Sequence, residues 1–87
     1  MAARELASSA IKNGERIITD LHDCQINGRI IWESDFAWTV SLGDELNGWK
    51  GEETFDRFSE AVEWLRAEAV RRYPDSEFAK KYGRGFY

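Results

Sequence analysis

Eighty-seven residues, 43% of them hydrophobic and 14% aromatic, suit one small domain with a single core rather than a disordered chain. A formal net charge of −4 lacks the basic footprint of a nucleic-acid binder, and no stretch approaches the ~20 apolar residues of a membrane span. Cys24 has no second cysteine to pair with, and charges together with Ser8-Ser9 interrupt the apolar run a secretory leader would need, so the expected setting is cytoplasmic, with neither membrane nor direct nucleic-acid contact.

Residues 2–12 are rich in Ala, Leu, Glu and Arg, and Leu6, Ala7, Ala10 and Ile11 recur at helical spacing. Asn13-Gly14 has the chemistry of a helix stop, yet Ile17, Ile18 and Leu21 continue the stripe of Leu6 and Ala10. An interior Gly costs only about 1 kcal/mol relative to Ala, which favours one helix through about Leu21 over two broken at Gly14. From Cys24 the period changes to two. Asn27-Gly28 is a turn dipeptide, but the run before it is too short for a hairpin. The hairpin is predicted at Ser34-Asp35, between residues 29–33 and 36–42, where Phe36, Trp38, Val40 and Leu42 share one face and Ala37, Thr39 and Ser41 the other. A loop over residues 43–48, with glycine at both ends, then leads to a third strand at about residues 49–55.

Ser59 is placed to cap the main helix, along which Phe58, Ala61, Val62, Leu65, Ala69 and Tyr73 trace one apolar stripe. Glu63/Arg66, Glu68/Arg71 and Glu68/Arg72 stand at spacings that support its outer side. Pro74 stops it. Asp75 or Ser76 then caps a short helix over residues 77–82, which Gly83 ends before an Arg84-Gly85-Phe86-Tyr87 tail whose aromatics either dock back or bind in trans. The predicted whole is a single α+β domain over residues 1–87, a three-stranded antiparallel meander with an N-terminal helix and a long C-terminal helix in the order α-β-β-β-α.

His22, with Asp20, Asp23 and Cys24, is the one grouping of metal-ligand types. Structural zinc sites use four ligands, mostly paired Cys and His, and the chain has one of each. Nucleophilic catalysis by Cys24 would need a base and an orienting group, which the sequence does not supply at readable spacing. Asp44-Glu45 and Glu52-Glu53 fall in predicted turns where water keeps both carboxylates ionised, unlike the shifted pair of acid-base catalysis. No phosphate loop or dinucleotide fingerprint occurs. The expectation is no catalytic residue, no metal and no cofactor, with a small enzyme built on His22 and Cys24 the least favoured reading.

Binding is the better prospect. Between residues 33 and 63 stand Glu33, Asp35, Asp44, Glu45, Glu52, Glu53, Asp56, Glu60 and Glu63 against only Lys50 and Arg57. None of these carboxylates has an evident partner in the sequence, and such a field is either a solvated face or a means of steering a basic partner. Trp38 belongs to the core; Trp32 and Trp49 are open. Trp64 lies off the centre of its stripe, either covered by the N-terminal helix or exposed as an interface anchor. The candidate partner-binding residues are Asp44, Glu45, Glu52, Glu53, Trp49 and Trp64.

Residues 38–61 also resemble the corresponding stretch of HicB-type antitoxins. That family runs from an aromatic strand with Val-Ser, through an Asp and a Gly, to a Thr near the entry of a helix beginning Glu-Ala; here the matching positions are Val40-Ser41, Asp44, Gly48, Thr54 and Glu60-Ala61. The resemblance implies a sheet-and-helix module that binds another protein without a ligand. Together these features predict a non-catalytic regulator or inhibitor whose acidic middle occupies a basic nucleic-acid-binding site, in the manner of phage or mobile-element inhibitors such as anti-CRISPR proteins. The alternative is a toxin-neutralising or self-associating module, a homodimer included, that uses a strand edge or the Trp64 face.

Overall fold

Helix α1, Ser8–Asp23, runs through Gly14 without a break in the computed structural model, which describes residues 8–34 and 36–83. Gly14 is where α1 meets the main helix: a Cβ there would stand 2.8 Å from the ring of Phe58 and 3.3 Å from Val62. The glycine is therefore a point of close approach rather than a stop. The proposed helix start and the aromatic tail, at residues 2–7 and 84–87, lie outside the described residues. α1 ends by bonds from Cys24 N–H to Leu21 C=O (2.8 Å) and Gln25 N–H to His22 C=O (2.9 Å), with Gln25 in the left-handed region at φ 64.

Three antiparallel strands follow, β1 (Ile26–Ser34), β2 (Ala37–Asp44) and β3 (Gly48–Phe55), in the spatial order β1-β2-β3. Asn27 and Gly28, a turn dipeptide by sequence, lie inside β1 opposite Gly43 and Leu42. Tertiary packing overrides the local preference: a Cβ at Gly28 would come within 3.0 Å of Leu21 and 3.1 Å of Leu65, so Gly28 lets two helices settle on the sheet. The hairpin turns one residue later than predicted: Ser34 still belongs to β1, β2 begins at Ala37, and Phe36 sits at the tip, 73% exposed, instead of joining the buried face. A register shift between Trp32 and Ser34 accompanies the turn.

Helix α2, Phe58–Arg72, begins one residue before the proposed cap. Arg57 holds the N-cap position without a side-chain hydrogen bond, and Ser59 is the exposed second residue of the helix. Starting at Phe58 brings its ring edge-on to Trp38, with centroids 5.2 Å apart. The stripe behaves as read: Ala61, Val62, Leu65 and Ala69 are buried with Val40 and Leu42 of β2, and Ile17, Leu21 and Ile26 complete the core from α1 and β1. Arg66, 8% exposed, donates from Nη1 to the Tyr82 carbonyl (3.2 Å) and from Nε to Glu63 (3.1 Å). It thereby ties down α3, Glu77–Tyr82, which Ser76 caps by accepting from Ala79 N–H at 3.0 Å. Phe78 and Tyr82 stack at 4.3 Å and close the end of the core.

Thr39 and Ser41 of β2, on the face turned away from Val40 and Leu42, are also buried, though no described element covers that face. Cross-strand neighbours do the covering: Thr39 and Thr54 share a hydrogen bond at 3.1 Å, Ser41 donates to Glu52 at 3.3 Å, and the Arg29 guanidinium lies 4.4 Å above the Trp49 ring.

Leu65 is 0% exposed where α2 meets Gly28 and the core. Leu65→Ala should lower stability by roughly 2–5 kcal/mol in urea denaturation, the range for emptying a buried leucine site. A neutral result would mean that α2 does not seat on the sheet through this residue.

Candidate partner-binding surface

Asp44 closes β2 and organises the turn after it. Its Oδ1 accepts from the backbone N–H groups of Leu46 (3.0 Å) and Asn47 (2.8 Å), and the Asn47 side-chain amide donates to the same carboxylate (3.0 Å). The Tyr73 hydroxyl at the end of α2 donates to Oδ2 at 2.6 Å. That hydrogen bond, followed by the one from the Asn47 backbone, holds the Asp44 carboxyl below its ordinary range, while burial and then the Asp44 contact push the Tyr73 phenol up to about 12. The turn is tight: Gly48 has φ 71, and a Cβ at Gly43 would lie 2.2 Å from the Gly48 carbonyl. Asp44 is thus a fastening between loop and helix. Glu45 and Leu46 project into solvent beside it.

The other candidates part company along β3. Trp49 and Glu52 lie on the open face of the sheet, engaged by Arg29 and Ser41. Glu53 pairs in register with Val40, so the alternation of the strand puts it on the same side as Phe55, toward the helices. Trp64 is half-buried, and β3 rather than α1 lies against it: a Cβ at Gly51 would stand 3.4 Å from its ring. Its accessible side lines a groove of about 380 Å³ with Phe55, Ser59, Glu60, Glu63 and Ala67. The six candidates therefore divide among the β2–β3 loop (Asp44, Glu45), the open sheet face (Trp49, Glu52) and the helical side of the sheet (Glu53, Trp64).

The expectation that the carboxylates lack partners fails at Asp44, at Glu52 and at Glu63, which takes a bidentate contact from Arg66. It holds at Glu45, Glu53, Asp56 and Glu60, whose side chains make no hydrogen bond or ion pair with other described residues. The groove itself was readable in part: Glu60, Glu63, Trp64 and Ala67 recur at the three- and four-residue spacing of one helix side, but Phe55 joins them only through the fold.

His22 is exposed and Cys24 half-buried, while Asp20 is held by the Tyr82 hydroxyl and by Lys81 (3.0 Å). Among the described residues no group of three His, Cys, Asp or Glu side chains could hold a metal, and no helix is long and apolar enough to cross a membrane. No family model matches the chain, and no curated protein or solved structure matches it.

The two tyrosine-carboxylate contacts set a pH dependence. Asp44 and Asp20 are lowered, each chiefly by its tyrosine, so their stabilisation is present above the ordinary carboxylate range and is lost as pH falls through the lowered values. Tyr73 and Tyr82 are raised from 10.0 to about 12, so their share is complete below pH 10 and lost between there and about 12. The double variant Tyr73→Phe/Tyr82→Phe should show a flatter thermal midpoint against pH at both ends. Curves parallel to the parent across both windows would contradict this assignment.

Proposed function

We propose that the domain is a non-catalytic binding module, a small regulator or inhibitor of another macromolecule that presents an acidic flank to a basic surface such as a nucleic-acid-binding site. The observation that carries this reading is the set of exposed, unpaired carboxylates Glu45, Glu53, Asp56 and Glu60, spread from the β2–β3 loop to the first turn of α2. Unpaired charges of one sign repel each other, Glu60 alone gaining from its place in the first turn of α2, and a basic partner would relieve that repulsion. Attraction of this kind acts mainly on the association rate and weakens with salt. Asp44 stands outside the functional set, because its carboxylate is used by the loop and by Tyr73.

Combined reversal of Glu45, Glu53 and Asp56 to Lys, with Glu60→Gln to spare the first turn of α2, should leave the thermal midpoint unchanged or raised. The same variant, used as bait in an extract of the native host, should lose the basic proteins that the parent retains at low salt. Retention of the same proteins by both baits, independent of salt, would reduce the acidic flank to a solubility device. Self-association is a second reading, favoured by the exposure of Ile31 and Trp32 on edge strand β1 and of Phe36 beside them. Sedimentation equilibrium of the parent and of Trp32→Lys separates the two, since a dimer built on this edge should dissociate in the variant.

A further inference from the structure

We propose that the free edge of β3, with the groove between it and α2, docks an extended segment of another protein in which basic and apolar residues alternate, added to the sheet as a fourth strand. The proposal rests on the reading of the domain as a module for basic partners and specifies where and in what conformation such a partner binds.

β3 ends the sheet on its side, and among the described residues no backbone group bonds to the N–H and C=O groups it turns away from β2. Its one irregularity lies near the loop, opposite Leu42 and Gly43; from Gly51 to Phe55 the pairing is regular, so the outward groups stand at ordinary strand spacing. Beside this edge lies the groove floored by Phe55, Trp64 and Ala67 and bordered by Glu60 and Glu63. A strand laid along β3 sends every second side chain toward α2. The lysines or arginines of an alternating segment, turned this way, lay their aliphatic stems over Phe55, Trp64 and Ala67 and reach Glu60 and, on the same side of β3, Glu53, whose side chains have no partner of their own among the described residues, while the apolar residues between them turn to the open face.

Charge also selects the occupant. If β3 paired with a second copy of itself through the regular stretch, Glu52 and Glu53 of the two chains would come side by side, and like charges opposite one another disfavour a strand pair. Acidic residues on an edge thus block pairing with the same chain while leaving the edge open to a basic strand.

The probe is a fluorescein-labelled heptapeptide alternating lysine and valine, titrated into the full chain at low ionic strength and followed by anisotropy. Saturable binding should slow amide hydrogen exchange over residues 51–55. Ala67→Arg, a change at an exposed helical position that keeps helix propensity, should fill and repel the groove and weaken binding by about tenfold or more. Two further peptides, N-methylated at every valine or at every lysine, remove the donors on one edge or the other, and at least one of them should lose binding. Absence of binding by the parent peptide overturns the proposal. So does equal binding by both methylated peptides, or unchanged exchange over residues 51–55. In those last two cases the peptide is held by charge alone, and the acidic-flank reading stands while strand addition falls.

Discussion

The described helices lie on one face of a sheet that, among the described residues, is three strands wide, and that constraint governs the rest of the structure. β2 must supply the floor of the core from Val40 and Leu42, while β1 must let α1 and α2 come close enough to cover it. Gly14 and Gly28 mark the two places where a side chain would hold the layers apart. Leu65 sits above Gly28 and joins α1, α2 and β1 into one apolar contact. The uncovered face then has to satisfy itself, which it does with short cross-strand pairs and one arginine laid over a tryptophan.

The carboxylates divide by the same logic. Those that reach back to the helical layer, Asp20 and Asp44, each accept a tyrosine hydroxyl from a residue distant in sequence and fasten one element to another. Glu52 joins β3 to β2 through Ser41, while the side chains of Glu45, Glu53, Asp56 and Glu60 bond to no other described residue. The acidic side chains are therefore two populations in space, one that ties elements together and one that does not. Surface ion pairs on α2, Glu68 with Arg71 and Arg72, belong to neither, and water screens them enough that they contribute little.

The order of elements was legible because burial writes it directly: period two through Val40 and Leu42, helical spacing through Ala61, Leu65 and Ala69. What failed were features set by contacts across space. Alternation alone assigned Phe36 to the buried face, although the chain was already turning there. Ser59 has the better capping chemistry, but a cap is worth about 1 kcal/mol, and starting the helix at Phe58 places an aromatic ring against Trp38. The role of Asp44 depends on Tyr73, 29 residues away, and no local pattern announces it. Of the candidate surface, the acidic character and the helical side carrying Trp64 were readable; that Trp64 lies against β3, with a groove beside it, was not.

The contact between Asp20 and Tyr82 spans 62 positions, and around it Lys81 reaches Asp20 while Phe78 and Tyr82 fill the end of the core. Local hairpins and helices can form as a chain emerges from the ribosome, but a closure of this reach cannot precede synthesis of its last partner. Until residues 77–82 are made, Arg66 has no Tyr82 carbonyl to donate to, and the apolar ends of α1 and α2 stand open. A chain ending before residue 77 would leave those apolar ends facing water, which makes α3 the seal of this end of the core.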